Sequence, residues 1–109
     1  MTLETEQYIC TIISCAGEAR SLCFEALQAA KKGDFDKSEE CMKKAQETLL
    51  QTHHIHSDII QQEASGEKQE VSLLLVHAED HLMNTLLTKD LIKEMIEMVK
   101  MIQQPTKGE

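Results

Sequence analysis

Tryptophan is missing from this 109-residue chain, and tyrosine and phenylalanine together supply only three side chains. With a single proline and four glycines, the sequence holds little of the aromatic and turn-forming material from which sheets are made. Ala, Leu, Glu, Gln, Lys and Met fill it instead, which predicts an all-α fold in one domain over residues 3–102. Positive charge is scarce too. Eleven Lys and Arg stand against nineteen Asp and Glu, a formal net charge of −8. That balance argues against a nucleic-acid or anionic-membrane surface as partner, and suits solubility or attraction of a basic protein.

No span of about 18 or more apolar residues is present, so no transmembrane helix is predicted. Glu4 and Glu6 near the start are unlike the basic and then apolar layout of a signal peptide, and a cytoplasmic location is the expectation. Cys10, Cys15, Cys23 and Cys41 show no C-x-x-C spacing and lie among apolar residues. They read as small, reduced core residues.

Apolar spacing then divides the chain into three helices. From about Thr5 to Lys32, Ile9, Ile12, Ile13, Ala16, Ala19, Cys23, Ala26, Leu27 and Ala30 keep helical period, and Gly33 is the stop. Gly17 falls inside this helix, where close packing or a local irregularity would make use of it. Asp34 or Asp36 can cap a second helix over 36–64, with a face through Phe35, Met42, Ala45, Leu49, Thr52, His56 and Ile59 before Ser65-Gly66 ends it. Its heptad-like steps predict shallow-angle bundle packing. A third helix should start near Glu70, weaken around Thr88-Lys89-Asp90 and run to Ile102. Its apolar face is too broad for one seam, which implies more than one neighbouring helix. Residues 103–109 read as a flexible tail.

The third helix also holds the main candidate for chemistry. His77, Asp80, His81 and Asn84 fall at i, i+3, i+4 and i+7 and form one polar stripe inside an otherwise apolar run. Ionisable groups so placed face a partner subunit, a ligand or water, and if buried must be paired, neutral or metal-bound. With an ordinary pKa of about 6.5, an imidazole can be a neutral nucleophile at cellular pH, a nearby carboxylate can orient it, and its ring nitrogen can hold a phosphoryl group reversibly. Two other readings stand beside this one. His77 and His81 at i and i+4 resemble half a zinc site in a metal-binding helical protein, although no third ligand is evident. Alternatively, they are polar residues of a non-catalytic helical oligomeric interaction module. His53, His54 and His56, at i, i+1 and i+3, do not share one helix face and lack further ligands nearby.

The run V-H-A-E-D-H-L-M from Val76 to Met83, with G-D-F-D from Gly33 to Asp36, resembles the lactose/cellobiose-family IIA component of the phosphoenolpyruvate-dependent sugar phosphotransferase system. The I-I-S-x-A-G-x-A-R run at Ile12 to Arg20 and H-x-x-H-x-x-I from His53 to Ile59 extend the likeness over nearly the whole chain. The resemblance implies three long antiparallel helices per subunit and a homotrimeric nine-helix bundle. It also implies that His77 takes a phosphoryl group on Nε2 from the phosphocarrier protein HPr. The acceptor would then be the cysteine of a IIB component, during uptake of a disaccharide of the lactose, cellobiose or chitobiose class. Asp80 matches an aspartate that meets its symmetry copies on the threefold axis and shares a divalent cation, magnesium. Three carboxylates brought together in a dry interface do require a proton or a cation. His81 matches a family histidine and is expected to act as an electrostatic neighbour of His77. Glu79 stands where many relatives place glutamine. An ionised glutamate cannot donate to a phosphoryl oxygen and would repel it, and at i+2 it points about 200° away from His77.

Overall fold

The computed structural model describes residues 3–68 and 70–103. They form three helices in up-and-down order: α1 (Leu3–Lys31), α2 (Phe35–Ala64) and α3 (Leu73–Gln103). The first joint is built by two residues. Gly33, at φ 85°, donates to the Ala30 carbonyl, and the Asp34 N–H reaches back to the Ala29 carbonyl, each at 2.9 Å. This is a glycine-terminated helix end in which the left-handed residue lets two orphan carbonyls be satisfied. Asp34 then accepts the Lys37 N–H at 3.1 Å, so Asp34 rather than Asp36 caps α2. Gly66, at φ 98°, closes α2 in the same manner, with the Glu67 N–H on the Gln62 carbonyl at 3.0 Å.

The start of α3 lies three residues beyond the expected Glu70. Ser72 is the reason: its hydroxyl oxygen accepts the Leu75 N–H at 3.1 Å, the bond of an N-cap, so the helix begins at Leu73. The expected weakening at Thr88-Lys89-Asp90 is absent, and α3 runs unbroken through it. There the Thr88 hydroxyl donates to the Asn84 carbonyl at 2.8 Å, one turn back, which satisfies the side chain without interrupting the helix. Gln103, placed in the tail by the sequence, is the last residue of α3, and its amide donates to the Ala30 and Lys31 carbonyls. Residues 104–109 lie outside the described residues.

Helix α1 is the spine. It packs along both other helices, whereas α2 and α3 scarcely touch. Its buried face of Ile9, Ile12, Ala16, Ala19, Cys23, Ala26 and Ala30 is mostly small, which lets both neighbours approach closely. Against it α2 sets Ser38, Cys41, Ala45, Leu49 and Thr52, in the steps of three and four that keep one helix face on a bundle seam. Met42, His56 and Ile59, expected on that face, are half-buried at its margin instead. From α3 come Leu75, Ala78, Leu82, Thr85, Ile92 and Ile96. The result is a rod of 63 × 22 × 20 Å.

Candidate functional site

Two consecutive residues of α1, Ala16 and Gly17, place the His77 stripe. The Thr85 hydroxyl donates to the Ala16 carbonyl at 3.3 Å, tying the middle of α3 to α1. One residue on, a side chain built on Gly17 would sit 3.7 Å from His81 Nε2. Gly17 therefore leaves the surface of α1 bare where the His81 ring lies across it, and α1 continues through it as regular helix. His81 is half-buried by this contact, while His77, one turn earlier, is exposed. The two rings are nearly parallel, at 7° with centroids 6.5 Å apart. On the other side of His77, Asp80 is exposed and accepts the Asn84 amide at 3.3 Å. His77 thus presents its ring to solvent between a carboxylate and a second imidazole.

The stripe borders a second feature of α3. At about 100° per residue, the side facing away from α1 carries Leu73, Val76, Asp80, Met83, Leu87, Leu91, Met98 and Met101. Leu73 is 86 % exposed, Leu87 58 % and Met98 60 %. Among the described residues nothing covers this apolar face, and Asp80 lies in it. A face of this length is the mark of a protein interface.

Glu79 takes a different direction. It turns toward α2, where its Oε2 lies 2.5 Å from Nδ1 of His56. No well-aligned hydrogen bond joins the two atoms, and the contact is an ion pair only when His56 carries a second proton. Both Glu79 oxygens are shielded from solvent. Sequence reasoning missed this pairing. Half of the signal was present, since His56 belongs to the heptad steps of α2, but the register of α2 against α3 cannot be read from either helix alone. His53 and His54 are exposed, with rings 6.1 Å apart, and take no part in it.

Among the described residues no group of three or more His, Cys, Asp or Glu side chains could hold a metal ion. A single chain offers a cation only Asp80 at this point, and the zinc reading of His77 and His81 finds no third ligand. A groove of about 490 Å³ opens between α2 and α3, lined by Met42, Lys43, Lys89, Lys93 and Lys100 among others. Its first α3 residue is twelve positions from His77, about 18 Å along the helix, so it is not part of the stripe. Cys10, expected in the core, is exposed instead, and the other three thiols are poor candidates for chemistry. Burial pushes Cys15, Cys23 and Cys41 above the ordinary thiol range, with Glu18 adding to the effect at Cys15. No described helix is long and apolar enough to cross a membrane.

Comparison with known proteins bears on the family and the fold. Residues 7–100 match the family model for the lactose/cellobiose-specific IIA subunit of the phosphotransferase system. The chain is 44 % identical over 104 residues to the lichenan-specific phosphotransferase enzyme IIA component of Bacillus subtilis, covering 95 % of this chain and 94 % of that one. Its fold matches the crystal structure of the cellobiose-specific enzyme IIA from Bacillus anthracis with a TM-score of 0.89, at 44 % identity over 94 % of each chain. It also matches the IIA(chitobiose) solution structure determined in complex with HPr in Escherichia coli, with a TM-score of 0.81 and 36 % identity. That match covers 94 % of this chain and all of the other. On sequence and fold together, the chain belongs to the lactose/cellobiose-specific IIA family of the sugar phosphotransferase system.

Proposed function

We propose that the protein is a phosphohistidine carrier. Phospho-HPr gives its phosphoryl group to Nε2 of His77, and the phosphorylated chain passes it to the cysteine of a IIB component during uptake of a lactose-, cellobiose- or chitobiose-class disaccharide. The observation that carries this reading is the exposed His77 ring, held between Asp80 and His81 on a helix whose surroundings belong to the IIA family. A relative complexed with HPr supports the choice of donor. In each transfer a nitrogen or sulfur atom attacks phosphorus as the bond to the outgoing histidine nitrogen breaks. The demand on the protein is positioning and charge compensation. The exposed imidazole meets the first, and His81 is the nearest group able to act electrostatically on the incoming phosphate.

The carrier acts as a homotrimer. Packing the exposed face of α3 against two copies of itself would bury the side chains that one chain leaves in water, and would bring three Asp80 carboxylates together on the axis. A divalent cation such as magnesium would neutralise that cluster. One chain cannot supply such a site, so cation binding and assembly stand together.

The test is a reconstituted assay of phosphoenolpyruvate-dependent sugar phosphorylation with enzyme I, HPr and the cognate membrane components. Omitting the protein or substituting His77→Ala should abolish turnover, while the variant still binds HPr. Turnover sustained by His77→Ala would refute the carrier role and leave the structural-module reading.

A further inference from the structure

Glu79 is the one side chain of the H-A-E-D-H run that turns into the cleft between α2 and α3. It is only 25 % exposed, its oxygens are screened from water, and no described group gives either of them a hydrogen bond. A carboxylate withdrawn from solvent needs compensation, and the described group in contact with it is the His56 ring. This contact joins two helices that otherwise hardly meet. It holds the Glu79 side chain in one direction.

That direction matters because of where Glu79 lies on α3. His77 and Glu79 are about 160° apart around the helix by the shorter path, and the exposed apolar face lies between them. In a ring of copies packed through that face, the edge bearing Glu79 in one copy adjoins the edge bearing His77 in the next. A phosphoryl group arriving at His77 brings negative charge, and a carboxylate free to swing toward it would oppose the transfer. We propose that His56 is a positioning residue for phosphoryl transfer, holding the Glu79 carboxylate in the α2–α3 cleft and away from His77 of the adjoining copy. This inference rests on the carrier and trimer reading.

The experiment measures initial rates of phosphoryl uptake from phospho-HPr by the parent protein, His56→Ala, Glu79→Gln and the double variant. His56→Ala should be slowed about five- to tenfold, as expected for one unscreened charge near the reacting group. The deficit should shrink as ionic strength rises. In the double variant no carboxylate remains to be restrained, so its rate should match that of Glu79→Gln. A purely structural role for His56 would leave the double variant as slow as His56→Ala, and at all salt concentrations. If His56→Ala fails to fold by circular dichroism, the comparison of Glu79→Gln with the double variant decides: equal rates support the inference, and a large further loss overturns it. Parent protein labelled on His77 with His56→Ala equally fast would overturn this inference alone. Absence of label on the parent would overturn the carrier reading itself, and this inference with it.

Discussion

Gly17 and Gly33 show how the same residue type is used in opposite ways. Gly17 has ordinary helical backbone, and an added Cβ would meet His81 Nε2 at 3.7 Å, a normal contact. Gly17→Ala should therefore stabilise the protein by about 0.5–1 kcal/mol through helix propensity. At Gly33 the φ of 85° disfavours any Cβ, and Gly33→Ala should cost about 1–2 kcal/mol. Urea denaturation of the two variants checks the opposite signs. The thiols give a second prediction at this scale. Burial raises Cys23 and Cys41, so the fold retains their protons more strongly than the unfolded chain, whose thiols titrate near 9.0. Their contribution is fully present below that value and is lost as pH rises through the raised folded pKa. The urea midpoint should fall on the alkaline side of pH 9.0, and less steeply in Cys23→Ala than in the parent. A fall of equal steepness in both would count against a titrating Cys23.

Helix α3 has two apolar faces, one on α1 and one turned outward, and its breadth was legible in the spacing of leucines and methionines alone. So were the joints. Gly33 and Ser65-Gly66 were readable because chain reversal needs a residue free to adopt positive φ, and Asp34 because a helix start needs an acceptor. The start of α3 was less legible, since Glu70 and Ser72 both lie in polar sequence and only the hydrogen bond to Leu75 singles out the serine. Thr88-Lys89-Asp90 looked like an interruption because composition does not reveal a hydroxyl satisfied one turn back. The pairing of His56 with Glu79 was invisible for a further reason, because it depends on how two helices are aligned by a third. The outward face carries its own prediction. Leu87→Glu puts three charges into the proposed axis and should sediment as a monomer with unchanged helix content, whereas Asp80→Leu should remain trimeric, replacing a charge cluster by apolar packing. A trimeric Leu87→Glu would refute assembly through this face.

At the scale of the whole molecule, α1 separates two tasks. It fixes α3 through small residues and the bond from Thr85 to Ala16, and it leaves the far side of α3 exposed. The same helix thus carries His77 and the proposed assembly face, so the ring proposed to carry the phosphoryl group borders the proposed junction between subunits. The most direct test of the account is to incubate the protein with phosphoenolpyruvate, enzyme I and HPr, determine its intact mass, and map any acid-labile phosphate to a peptide. The account predicts one phosphoryl group per chain, located on His77 and absent from His77→Ala. A folded chain that stays unmodified beside verified phospho-HPr, or one labelled at another residue, would contradict it.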